Sequence, residues 1–275
     1  MPTISFIKTT AKASLSNKWS KVLASGALVI SAFCLIYVFF SMLYLMLSAA
    51  LNNGWSLVLS LIPSFFLWQF FGVPLLYGVL RWFWFTAAGD DLPVSEAFFY
   101  FSRTKEYIRS VSLGFRIFCR IVAILVVCFL PSIIISILCR PTLYDMLNFA
   151  MPFFVSSLWS LGNVLTLFGT ILSIILLLRY FAAPILMIND NNISPQEALH
   201  LSNIISKQVN GKTLSFILSF LGWAVLSLLV IPLLYTLPFF MTCYSVYCKY
   251  LIENYNRLTE LQNKTYYPNY KPPRF

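Results

Sequence analysis

The chain has 275 residues, 10% of them charged and 59% apolar, with 26 Phe, 15 Tyr, a mean hydropathy of +0.80 and a formal net charge of +10. Soluble domains carry about 25% charged and about 45–50% apolar residues, so an ordinary soluble fold is excluded and the chain belongs in a bilayer. There the unit of length is the helical span of about 20 apolar residues. The positive charges flank apolar runs instead of forming a basic domain, which excludes nucleic acid as a partner.

In chain order, Ile4, Ile7, Ala11, Leu15 and Trp19 recur at helical spacing, with Lys8 and Lys12 toward one flank. Four lysines fall within the first 21 residues, and the apolar run behind them far exceeds a signal-peptide core. Ser48–Ala50 weakly resembles a cleavage site, but the first span is expected to remain uncleaved. Residues 22–80 contain no Asp, Glu, Lys, Arg or His. At about 1.5 Å per residue against a core of about 30 Å, that stretch is too long for one crossing. Asn52-Asn53-Gly54 is the expected turn, because Asn and Gly tolerate positive φ. The aromatic crowding at 66–85 reads as lipid-facing bulk and an interface belt.

A second amphipathic helix is expected from DDLPVSEAFFYFSR (90–103), with Ala97, Tyr100, Phe101, Thr104, Ile108 and Val111 on one side. Charge-free runs follow at 121–139 and 146–178. NNISPQEALHLSN (191–203) then opens a third amphipathic helix. Ser194 is its cap, Pro195 its first residue, Glu197 the returning side of a capping box, and Gly211 its end. Ala198, Leu201, Ile205 and Val209 share its apolar face, opposite Gln196, His200, Asn203, Lys207 and Asn210. At about 16 residues this helix cannot span, so it is expected to lie in the cytoplasmic interface with its apolar face in lipid. The last charge-free run, 213–248, is again too long for one helix of ordinary tilt, and Pro232 and Pro238 are expected to break it into a hairpin.

The fold expected is therefore an all-α integral membrane protein. It has six transmembrane helices in three hairpins, each preceded by a cytoplasmic interfacial amphipathic helix. With both termini in the cytoplasm, all but Arg140 of the 19 Lys and Arg lie inside, the bias that the positive-inside rule requires. Glu96-Ala97-Phe98 aligns with Glu197-Ala198-Leu199, and the three units, at about 1–90, 91–190 and 191–256, read as a degenerate threefold repeat. A parallel repeat about the membrane normal fits two crossings per unit. The competing reading is that any loop entering a membrane looks amphipathic. The tail 257–275, ending in NKTYYPNYKPPRF, has no apolar period and is expected to be extended, mobile and basic.

The run ALHLSNIISKQVNGKTLSFILSFLGW (198–223) carries an Ala-Leu…Ser helix, a Gly-Lys turn and a Ser-Phe-x-Gly-Trp segment. These are Ala198, Leu199, Ser202, Gly211, Lys212, Ser219, Phe220, Gly222 and Trp223. In order and spacing they resemble the bacterial polytopic family known as domain of unknown function 975, as does RYFAAPILMIND (179–190) before them. The chain departs from that family's Pro-Gly and Pro-Tyr patterns at Pro131-Ser132 and Pro238-Phe239. The resemblance implies a multi-span protein of a bacterial cytoplasmic membrane and implies no activity.

Chemistry is sparse. No acidic residue lies within the expected spans, which excludes an intramembrane two-aspartate protease, and no GxSxG context accompanies the single histidine, His200. Asp90, Asp91 and Glu96 form one acidic cluster. It reads as turn chemistry and favourable charge at a helix start, with a divalent ion shared with a lipid phosphate as the alternative. The six cysteines, Cys34, Cys119, Cys128, Cys139, Cys243 and Cys248, show no CxxC pair and read as packing residues. No cofactor and no metal is expected. Gln69, Asn163, Thr166 and Thr170 offer polar groups at depth, either lining a cavity or bonding between helices, and Pro63, Pro74, Pro131 and Pro184 are candidate kinks.

The expected function is non-enzymatic, as a membrane-organising or partner-binding component, with anionic lipid at the cytoplasmic face and a protein partner or a second copy as associates. A permease or exporter for a hydrophobic or amphipathic substrate, lipid or peptide, is the alternative.

Overall fold

The structure is a computed structural model that describes residues 2–16, 18–51, 55–138, 152–227 and 230–266. The expected turn at Asn52-Asn53-Gly54, Arg140, Cys139 and the end of the tail lie outside these residues. Among the described residues the chain is helical, without strands. The elements are α1 (Ile4–Leu15), α2 (Trp19–Leu51), α3 (Trp55–Leu67), a π-turn (Trp68–Gly72), α4 (Val73–Ala88), a 3₁₀ turn (Val94–Phe98), α5 (Phe99–Ser102) and α6 (Thr104–Leu138). They continue with α7 (Pro152–Leu177), a 3₁₀ turn (Leu178–Tyr180), α8 (Ala183–Asn189), α9 (Pro195–Lys207), α10 (Asn210–Leu218), α11 (Leu221–Leu226) and α12 (Val230–Tyr266). Among the described residues four stretches are long and apolar enough to cross a membrane: Trp19–Ala50, Trp55–Ala88, Thr104–Ile137 and Ser160–Asn189. A fifth arises if α9 and the α10–α11 stretch, bent by 88°, form one broken span.

Small residues set the close helix contacts. α2 packs on α3, whose buried positions are Ser56, Ser60 and Ser64, one per turn. α6 packs on α7, where a Cβ at Gly169 would stand 2.7 Å from the Cys128 carbonyl oxygen. Lipid-embedded helices associate through such small-residue seams because the tails around them are as apolar as leucine.

Pro74 explains the π-turn. Its missing N–H deprives the carbonyl four residues back, Phe70, of its helical donor, and the Tyr107 hydroxyl of α6 donates to Phe70 O at 3.0 Å instead. Pro74 and Pro184 sit in the first turns of α4 and α8, where the ring is tolerated. Pro63, Pro131 and Pro238 lie within α3, α6 and α12.

Two expectations about the third unit are corrected. α11 ends at Leu226 and α12 begins at Val230, ahead of both prolines, and α12 runs without interruption through Pro238 to Tyr266, past the expected boundary at 256. The Pro238 ring is accommodated by Gly26 of α2, where a Cβ would stand 2.6 Å from Pro238 Cγ. Gly211 does not end α9, which stops at Lys207, and it lies instead in the first turn of α10. In the second unit, α5 ends at Arg103, whose backbone is extended, and α6 begins at Thr104 and runs straight into the apolar segment.

The core forms around α12, which packs against α1, α2 and α4 and buries Met241, Cys243, Tyr244, Val246, Tyr247, Cys248 and Leu251. The buried faces of the amphipathic segments pack on other helices. α1 buries Ile7, Ala11 and Leu15 against α12 and α4, and Ala97 and Tyr100 are buried beside α4. α9 packs on α6, α8 and the 178–180 turn and buries Ala198, Leu199, Ser202, Ile205 and Ser206, while Gln196, His200 and Lys207 remain exposed. Its buried stripe is thus rotated from the expected Ala198-Leu201-Ile205-Val209 face, and Ser202 on that stripe donates to Arg179 O. Ile108, expected on an apolar face, is 60% exposed.

α4 approaches the 94–98 turn so closely that a Cβ on Gly78 would stand 1.8 Å from Ala97 O. Gly78→Ala should therefore destabilise the protein by about 1–3 kcal/mol, the usual cost of overpacking. Gly222→Ala, which meets nothing within 4 Å, should be neutral or slightly stabilising by about 1 kcal/mol or less. Equilibrium unfolding in mixed micelles measures both.

Candidate functional site

The polar chemistry gathers where the helices leave their apolar segments. Lys21 Nζ pairs with Asp91 Oδ1 at 2.7 Å, and Lys18 Nζ donates to Asp90 O at 2.9 Å, so the start of α2 holds the 90–91 loop. Trp82 Nε1 adds a bond to Leu92 O at 3.0 Å. One unit later the pattern recurs with different atoms. Arg109, at the start of α6 and paired with Glu106, donates to Ile193 O at 2.6 Å and to Asp190 O at 3.3 Å, which holds the 190–193 loop.

Two members of the acidic cluster, Asp91 and Glu96, face a cation, whereas Asp90 is held through its backbone carbonyl. Glu96 lies 3.8 Å from Arg81, whose guanidinium stacks on Phe99 at 3.9 Å and on Phe85 at 4.8 Å. The Lys21 ammonium beside Asp91 holds its carboxyl below the usual carboxylate range, first through the hydrogen bond and then through the charge. Glu197 is lowered as well, by the Ser194 backbone N–H and hydroxyl of the capping box. No group of three or more His, Cys, Asp or Glu able to hold a metal ion occurs among the described residues.

The four polar residues at depth are not brought together. Gln69, buried in the π-turn, donates its Nε2 to Val111 O of α6 at 2.7 Å. Thr166 shares a hydrogen bond with Ser132 of α6 and donates to Gly162 O. Thr170 donates to Thr166 O, and Asn163 is exposed on α7. Val111 and Ser132 are separated by about 31 Å along α6, so the two polar contacts occupy opposite ends of that helix.

The buried motif residues of 198–223 lie along a seam of α9, α10 and α12, while Gly211, Lys212 and Gly222 are exposed. Ala198 and Leu199 are fully buried, and Ser202 Oγ donates to Arg179 O at 2.8 Å. Lys8 of α1 donates to Ser219 O at 3.0 Å, at the C-terminus of α10, and stands 4.5 Å above the Phe220 ring. Such a cation is favoured there by the helix dipole. Trp223 meets the rings of Tyr235 and Phe239. Gly211 and Lys212 border a cleft of about 440 Å³ between α1, α10 and α12. Inside the seam, Phe216 stacks on Tyr247, Tyr244 Oη donates to Phe181 O, and Tyr247 Oη bonds Thr213 at 2.7 Å.

Lys8, Trp82, Tyr107, Arg109 and Tyr244 do this work without a motif to announce them. Only Tyr107 had a sequence signal, since Pro74 implies an orphaned carbonyl at Phe70 that some donor must meet.

A family model described as Protein of unknown function (DUF975) matches residues 1–255. Neither the curated proteins nor the solved structures contain a match to the chain.

Because the Asp91 pKa is lowered in the folded state, its contribution is present above the unfolded carboxylate pKa and is lost as pH falls through the folded value. The gap in melting temperature between wild type and Asp91→Asn should be widest at neutral pH and should close on acidification. A gap that does not change with pH would contradict the Lys21–Asp91 assignment.

Proposed function

We propose, for a chain that belongs to the DUF975 family, a non-enzymatic role as a membrane-organising or partner-binding component of the bacterial cytoplasmic membrane. The observation that carries this reading is the closed interior. α12 is buried through its middle by α1, α2 and α4, its aromatic side chains interlock with Phe181, Phe216 and Phe220, and the buried amide of Gln69 is committed to Val111 O. A permease would instead place free polar groups along a shared path. Arg and Lys at the helix starts attract anionic lipid, each worth about 1 kcal/mol when well placed.

The proposed topology has six crossings with both termini inside, α10–α11 and the first part of α12 forming the third pair. The degenerate threefold repeat is supported by the recurring hook, in which a basic residue at the start of one unit's first long helix holds the next unit's loop. Lys21 does so for 90–91 and Arg109 for 190–193. Ala97 and Ala198, aligned in sequence, are both fully buried.

Thiol labelling tests role and topology together, in a background with the native cysteines replaced. With a membrane-impermeant reagent, Gln69→Cys should stay unlabelled from both sides, and Asn52→Cys should label only from outside. Labelling at position 69 would favour the permease, and labelling of Asn52→Cys from inside would overturn the topology.

A further inference from the structure

The cleft between α1 and α10 is lined by Thr3, Ser5, Gly211, Lys212, Ser215 and Tyr247 among others, and no acidic side chain lines it. Lys212 is exposed and makes no ion pair among the described residues. Thr3, Ser5 and Ser215 bring hydroxyls to a lining that also holds Pro2, Ile4 and Ile7, while the Tyr247 hydroxyl is committed to Thr213. A Cβ at Gly211 would meet nothing within 4 Å, so the α10 backbone there is open to a ligand. Two helices begin at this cleft, α1 and α10, neither with an acidic residue in its first turn, and first-turn N–H groups attract anions.

The repeat proposed above makes the cleft a third copy of a known contact. At the first junction Lys21 holds the Asp91 carboxylate, and at the second Arg109 holds two backbone carbonyls. At the third, Lys212 at the start of α10 faces residues 2–5, which carry no acidic group. The corresponding cation therefore confronts a cleft instead of an acceptor.

We infer that this cleft is an anion site that takes a phosphate group, with Lys212 supplying the charge and Thr3, Ser5, Ser215 and the Gly211–Lys212 backbone the hydrogen bonds. A bound phosphate oxygen replaces the acceptor that Asp91 provides at the first junction. The group can belong to a lipid headgroup or to free phosphate, since both offer the same oxygens to these donors. The inference rests on the repeat reading.

The test uses the purified full chain at constant ionic strength. Calorimetric titration with inorganic phosphate is run in detergent, and melting temperatures are compared in nanodiscs of phosphatidylcholine with and without phosphatidylglycerol. The wild type should bind phosphate or gain stability with phosphatidylglycerol, and Lys212→Gln should weaken that response at least tenfold. Lys12→Gln, which removes an exposed charge elsewhere on α1, should leave it unchanged. A response to phosphatidylglycerol alone assigns a lipid headgroup, and one to inorganic phosphate alone assigns a free anion. No response to either, or equal responses in wild type and Lys212→Gln, overturns the site. Should Lys212→Gln fail to fold, Ser215→Leu, which fills the cleft, carries the same expectation. Lys21→Gln separates the premise from the inference: an unchanged melting temperature there counts against the repeat, whatever the cleft binds.

Discussion

A backbone carbonyl that loses its helical donor inside an apolar layer finds no water to replace it, and the bundle is organised around that constraint. Prolines, helix ends and tight turns are frequent in this chain, and side chains from other elements donate to carbonyls near them. Tyr107 serves Phe70, Tyr244 serves Phe181, Ser202 serves Arg179, Lys8 serves Ser219, Trp82 serves Leu92 and Arg109 serves Ile193. Each of these bonds joins two elements, so satisfying the backbone and fixing the tertiary arrangement are one event.

The same accounting changes the meaning of polar residues at depth. Gln69 had two readings from its position, a cavity wall or a contact between helices, and its amide bonded to Val111 O uses it as the second. Thr166 with Ser132 does likewise at the other end of α6. Asp91 and Glu96 of the acidic cluster are paired with neighbouring cations, and Asp91 responds by staying ionised further into acid. Lys212, in contrast, has no ion pair among the described residues and borders a cleft without an acidic side chain, which is the basis of the anion site inferred there.

The amphipathic segments show a second consequence of an apolar solvent. α1 and α9 have the periodicity of helices lying on a bilayer, yet their apolar faces are covered by α12, α4, α6 and α8. The exposed sides of both helices are mainly polar, with Phe6 on α1 and Ile204 on α9 the large apolar exceptions, so an interfacial position and a protein-covered face are compatible. Serine on the buried face of α9 is the local sign of that difference, because Ser202 reaches a backbone acceptor that lipid could not have supplied.

Sequence alone determined the helical class, the long apolar stretches, the capping box at Ser194–Glu197 and the family, because composition, period and short motifs act within a turn or two of helix. The end of α9 at Lys207 and the unbroken run of α12 through Pro238 were not legible, since Pro238 is absorbed by Gly26 of a helix more than two hundred residues away in sequence. Nor was the partner of any amphipathic face. Hydropathy records how strongly a side chain avoids water and is blind to whether lipid or protein takes water's place, so that choice belongs to the packed bundle.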